Sequence, residues 1–414
     1  MNPVPPLPRR EGERFGLTES CILAVAFFMV AISWSPLLPG LLGIPFSAAL
    51  FVAFVVHFTL TTARYGTSRL ALGFCVFWLC ASALMMVLSD SVILLTRTAP
   101  IALLVFSAYQ TCRIPGMAER LCKVLTIFLQ IGVVCAAIGM VYAFAGGQPL
   151  LTITNVDGRE NSLYLTTMSN FVFLGIIRPS FIYDEPGAFS FLICAVVALR
   201  EILRMSRGPS LMMLVLGILT FSITHMIILL LFLVTRYGAL RTAIVLAAVL
   251  VPLVPRFQGL EELAFITDRF SVVDGDFSGD NRSDQLTNFA RIANPTIFAF
   301  GDIECQWHVD KTCEAHGDIS SSPVTPVYKG GLLALLTQIA VHVGLIVAFF
   351  RRKTFRFGAL AMSLLLLQRP YFEIAGYGFL TYLIVFLMFD IRKAALMKRA
   401  PEADDPNVLQ HRPS

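Results

Sequence analysis

The sequence predicts an all-α polytopic membrane protein of about 12 transmembrane helices, with one large hydrophilic loop outside the cytoplasm. Three observations predict it. Of 414 residues, 56% are hydrophobic and only 14% charged, whereas a typical soluble domain carries about 25% charged residues. Mean hydropathy is +0.74, so lipid must be the solvent for most of the surface. Finally, most of the 32 Lys and Arg residues gather in alternate loops, the pattern of chains that keep their basic loops in the cytoplasm.

A cytoplasmic tail, 1–17, precedes nine expected spans within 18–254: 18–35, 41–61, 70–89, 91–109, 124–145, 187–200, 210–222, 224–235 and 241–254. The first run follows Arg9-Arg10 but lacks a small-x-small cleavage site, so it reads as a retained helix and not a signal peptide. The stretch at 210–235 is either one long helix or two short ones meeting near Ser222-Ile223-Thr224-His225. Two helices keep Arg236, Arg241 and the basic loop at 351–356 on the same side as Arg64, Arg113 and Arg204, so charge favours the break. The segment 146–186 forms one outer loop and 255–326 the large one. Spans ten to twelve (327–350, 357–368 and 375–390) occupy 327–390, and a polar tail, 391–414, ends the chain. An even count returns both termini to the cytoplasm.

Seven cysteines lie in or beside apolar runs and read as small buried hydrophobes. Cys305 and Cys313 fall in the large outer loop, where an oxidising compartment makes them a candidate disulfide, the alternative being two free thiols. Asp274-Gly275-Asp276 looks like the opening of a calcium loop, but Gln285 stands where a bidentate Glu is required. No metal site is expected. No Walker, HExxH or GxSxG motif occurs, which argues against nucleotide-driven or zinc-protease chemistry.

The informative polar residues lie toward the outer side. Arg97 sits about two turns into the fourth span and either faces a polar partner or snorkels to the headgroups. In Arg178-Pro179-Ser180-Phe181-Ile182-Tyr183-Asp184-Glu185-Pro186-Gly187, Pro186 suits the first turn of a helix. That puts Asp184 and Glu185 at the positive end of its dipole. They read either as dipole partners or as a carboxylate held at the membrane surface beside Arg178. His225 is the one titratable group of the 210–235 hairpin tip, either a proton carrier or a satisfied polar residue. Arg269, Arg282 and Arg291 lie in the large loop, with an amphipathic helix expected from Arg282 to Asn288. Guanidinium forks suit phosphate, although ion pairs with the loop's Asp residues would also occupy them. Arg369-Pro370, Tyr371 and Glu373 add a polar cluster between the last two spans.

Taken together, the Arg…Asp-Glu-Pro-Gly entry to a middle helix, the Ser/Thr-bearing hairpin and the Arg-rich loop ending in Phe300-Gly301 resemble the Wzy-type polysaccharide polymerases and the related O-antigen ligases. The resemblance implies a GT-C-like fold and a metal-independent glycosyltransferase of the bacterial inner membrane, without cofactor, whose large loop is periplasmic. Its partners would be polyprenyl-diphosphate-linked oligosaccharides, membrane lipid, a flippase and a chain-length regulator, and no nucleic acid. Arg178, Arg282 and Arg291 would hold the diphosphate, with Arg97, Arg269 and Arg369 as secondary candidates. Glu185 or His225 would be the base for the attacking sugar hydroxyl. The Asp-Glu-Pro-Gly entry favours a polymerase over a ligase. A secondary transporter or flippase would carry internal repeats and midplane charges, and no repeat is evident.

Overall fold

The computed structural model describes residues 16–154, 160–173, 176–244, 247–248, 272–273, 276–277, 281–303, 319 and 322–389. Cys305, Cys313 and Arg269 lie outside the described residues, as does the side chain of Arg282.

The described chain is mostly helical. Its helices are α1 (Leu17–Phe27, continued by a wide turn over Phe28–Ile32), α2 (Leu37–Leu42), α3 (Phe46–Tyr65), α4 (Arg69–Ser89), α5 (Val92–Arg113) and α6 (Met117–Phe144). There follow α7 (Pro186–Ile202), α8 (Arg207–Leu216, extended by a tight turn to Thr220), α9 (Ile223–Tyr237), α10 (Asn281–Ile292) and α11 (Pro295–Phe300). The last three are α12 (Thr325–Arg351), α13 (Arg356–Gln368) and α14 (Ala375–Met388).

Five helices, α3 to α6 and α12, are long and apolar enough to cross a membrane. Their outward faces expose large apolar side chains, among them Phe51, Phe77, Val87, Val141, Ile346 and Phe350. In water such patches would be costly; in lipid they need no cover. The others are shorter. α7 is enclosed on every side, with every residue from Ala188 to Ile202 buried. It packs against α6, α8, α13 and α14. A helix apolar all round belongs in a core, and one surrounded by protein need not match the hydrocarbon thickness.

The hairpin expected at 210–235 is present. The chain reverses at Phe221, which takes the left-handed conformation (φ 50°) between the turn ending at Thr220 and α9. Pro186 opens α7 as expected, with Glu185 as the residue just before the helix. The amphipathic helix expected at 282–288 is also found, as part of α10, and Asn294 caps α11 by accepting from the Ile297 amide (2.9 Å).

The 146–186 segment departs from the all-α expectation. It folds into an antiparallel three-stranded sheet, β1 (Leu151–Thr154), β2 (Glu160–Tyr164) and β3 (Thr167–Ser169), in that order. A separate two-stranded hairpin in the same segment pairs β4 (Val172–Phe173) with β5 (Ile176–Ile177), and another, far along the chain, pairs β6 (Val272–Val273) with β7 (Asp276–Phe277). Five residues are too few for a hydrophobic alternation to stand out in sequence. The sheet lies on α6, where Gly139 permits the approach: a Cβ there would meet Thr167 Cγ2 at 2.4 Å and the Tyr164 carbonyl at 2.6 Å. In turn β3 fixes the approach to α7. Phe181 N donates to Thr167 Oγ1 (2.8 Å), and Ser180 Oγ bonds both the Met168 and Tyr183 carbonyls (2.9 and 2.6 Å). The Tyr183 hydroxyl donates to the Ala31 carbonyl (2.9 Å) beyond α1.

Candidate functional site

Polar side chains collect at two opposite ends of α7. At its C-terminal end Arg200 donates to Ser210 Oγ (2.9 Å), Thr126 Oγ1 (2.9 Å) and the Ser206 carbonyl (2.6 Å), and Glu201 pairs with Arg236. These contacts tie α6, α8 and α9 to α7, and Arg236 Nε is buried there without a hydrogen-bond partner among the described residues. The N-terminal end is different in kind.

There the Arg369 guanidinium, from the loop leaving α13, pairs with Glu185. Arg369 is buried, and its Nε has no hydrogen-bond partner among the described residues. Burial works against its charge, but Glu185, Tyr377 and Tyr371 together hold it well above the ordinary arginine range. Gly187 makes room for it: a Cβ there would stand 2.3 Å from Nη2. Aromatic rings wall this pair. Tyr371 meets Tyr377 edge-on (5.3 Å), and Trp34 lies against Tyr377 (4.7 Å) and stacks on Tyr183 (4.5 Å).

Tyr371 links this ion pair to a second group of charges. Lys329 Nζ sits 4.8 Å from the Tyr371 ring centroid, a cation–π contact. The backbone of Lys329 is pinned in turn by Arg97, whose Nη1 donates to the Lys329 carbonyl (3.0 Å) and to the Asp302 carbonyl (2.9 Å). Glu373 feels both Lys329 and Arg97. Burial raises its carboxyl above the usual range, and those two cations offset part of the rise. The cluster therefore joins α5, α7, α12 and the loop between α13 and α14.

Several sequence expectations move. Arg178 was placed beside Glu185 by adjacency in the chain, yet the guanidinium that meets Glu185 is Arg369, until now a secondary candidate. Arg178 instead donates to the Thr220 carbonyl (3.2 Å) at the hairpin tip and lies 5.8 Å from the Phe171 ring centroid. Arg97 resolves as a polar clasp and not a snorkelling side chain. Arg291 is exposed on α10, and among the described residues it is not brought into the Glu185 cluster.

His225 needs a correction of setting. It is 0% exposed. Nε2 lies 2.8 Å from the Leu214 carbonyl and so carries the proton. Nδ1 then accepts from Ser190 Oγ (3.3 Å) or Cys194 Sγ (3.4 Å). This ring ties the hairpin to α7 and is fully occupied by protein. Replacing His225 with Ala should cost about 2–4 kcal/mol, from lost packing and a stranded carbonyl. Thermal unfolding in detergent would show it, with turnover per folded molecule retained. Full stability with no turnover would return the base role to His225.

Lys329 was missed altogether, because the apolar window of 327–350 absorbed it. The signal was a lysine followed by Gly330-Gly331 at the edge of an otherwise uncharged run, since an intramembrane lysine is costly without a partner. Among the described residues no group of three His, Cys, Asp or Glu side chains could hold a metal ion. No family model, no curated protein and no solved structure matches the chain.

Proposed function

We propose that the protein is a GT-C-like glycosyltransferase that polymerises polyprenyl-diphosphate-linked oligosaccharide repeat units at the periplasmic face of a bacterial inner membrane. It does so with about 12 spans and both termini in the cytoplasm. The observation that supports this reading is the gathering of Arg369, Lys329 and Arg97 with Glu185 and Glu373 around Tyr371, at one end of an apolar helical bundle. A lipid-borne diphosphate leaving an anomeric carbon develops negative charge, and preorganised cations in a partly dry site stabilise it. The buried Arg369 Nε has no acceptor among the described residues, a feature it shares with Arg236 Nε at the other end of α7; what sets Arg369 apart is the neighbouring Lys329 and Arg97.

Glu185 does not act alone in this reading. Its ion pair with Arg369 orients the fork, and the start of α7 adds its positive dipole end beneath it. The aromatic walls exclude water and offer faces to sugar rings.

The deciding experiment is deletion of the gene followed by analysis of lipid-linked saccharides. Single repeat units should accumulate. Long, unattached lipid-linked glycan would instead mark a ligase, and an unchanged pool would overturn the reading. Reporter fusions at Arg204 should register cytoplasm and fusions at Asp276 periplasm; the opposite pattern would overturn the sidedness.

A further inference from the structure

We propose that the C-terminal end of α7, opposite the Glu185 cluster, is a binding site for an anionic phospholipid. Lys123, Arg204 and Arg207 hold its phosphate, and an acyl chain lies along the seam between α6 and α8. On the proposed sidedness this lipid belongs to the cytoplasmic leaflet. The site is separate from the proposed reaction and does not depend on it.

Charge is unbalanced at this end. Arg200 and Glu201 are both buried in the last turn of α7. Arg236 takes the Glu201 carboxylate, and its own Nε stays without an acceptor among the described residues. Arg200 is left with neutral oxygens, those of Ser210, Thr126 and Ser206, and has no carboxylate partner among the described residues. A buried cation without a counter-ion is costly, so an anion nearby would stabilise it. Arg200 is too enclosed to touch one, but the cations around it are not. Arg204 and Arg207 are exposed between α7 and α8, and Lys123 is exposed on α6 one turn before Thr126.

Arg204 stands out by its backbone. It follows α7 in the left-handed conformation, φ 54°. Its amide donates to the Glu201 carbonyl (3.2 Å), and the Met205 amide to the Arg200 carbonyl (2.9 Å). Glycine is the usual residue at such a helix end. An arginine there carries strain and presents a guanidinium beside Arg207 in exchange.

Beyond these cations both helices turn apolar. Lys123, Ile127 and Ile131 recur at four-residue spacing on α6, as Arg207, Leu211 and Val215 do on α8, so each set forms a stripe on one face. The two helices pack together, and Gln130 Nε2 meets Met212 Sδ across their seam (3.4 Å). Ile127, Ile131, Met212 and Val215 are exposed, a surface that suits an acyl chain better than water. Cations at one end and an apolar seam leading away from them match an amphiphile, whereas a free phosphate would use only the cations. The excess of positive charge selects a headgroup with net negative charge over a zwitterionic one.

The test uses the full-length protein, delipidated in detergent. Phosphatidylglycerol should raise its unfolding temperature, and phosphatidylcholine or inorganic phosphate at the same concentration should not. Native mass spectrometry should show phosphatidylglycerol retained on the wild type. R204G and R207A should each weaken that retention about fivefold, the loss expected for one cation at a membrane surface. R204G supplies the residue that the left-handed conformation favours, so its fold should persist without lipid; R207A changes an exposed residue and gives an independent reading. Equal stabilisation by phosphatidylcholine would overturn the anionic site. Equal stabilisation by inorganic phosphate would overturn the lipid as its occupant. Undiminished retention of phosphatidylglycerol in both variants would overturn the placement of its phosphate.

Discussion

Replacing Arg369 with Ala is expected to cost about 3–5 kcal/mol of stability and to abolish elongation, because it strands the Glu185 carboxylate at the enclosed end of α7. Thermal unfolding in detergent and an elongation assay would measure the two effects. The double variant R369A/E185Q separates them. Removing both charges should recover much of the lost stability, since no unpaired ion remains. It should recover no activity if the guanidinium serves the diphosphate. R369K keeps a charge but loses the planar fork, and should fall between wild type and R369A in turnover. Elongation by R369A at the wild-type rate would reduce the ion pair to a structural fastening.

Gly331→Ala should be nearly as damaging, for a different reason. Gly331 interrupts α12 with φ 57° and ψ −145°, a backbone region essentially reserved for glycine. A Cβ there would lie 2.3 Å from the Ala299 carbonyl oxygen and 2.7 Å from the Phe300 carbonyl carbon. Backbone atoms cannot swing aside as a side-chain tip can. Strain and overpacking together predict a loss of about 2–6 kcal/mol. α11 should lift from α12 and take with it the Asp302 carbonyl that Arg97 holds. Faster proteolysis within 281–303, with lower elongation, would report this; unchanged cleavage and activity would refute it.

Much of the fold could be read from sequence because it depends on local rules. Pro186 opened its helix because a missing N–H is harmless there. The break at Phe221 followed from charge bookkeeping alone: one helix would have put Arg236 and Arg241 on the wrong side. The strands at 151–177 were not legible, since their order depends on pairing with one another and on the notch at Gly139. The site was legible in type and not in partners. Arg178 drew attention by standing seven residues from Glu185, whereas the guanidinium that arrives is 184 residues away. Such a pairing has no sequence signature. Lys329 was hidden by averaging, as a single cation disappears in a window of leucines and valines.

The clasp made by Arg97 fixes a depth. Arg97 lies five residues into α5, about 7.5 Å along the axis from its first residue. The Lys329 and Asp302 carbonyls that it holds are therefore anchored more than one helical turn from that end of α5. On the proposed polymerase reading, this is where the diphosphate of a lipid-linked donor would be held. Its tail would then stay dissolved among acyl chains while only the saccharide reached toward water.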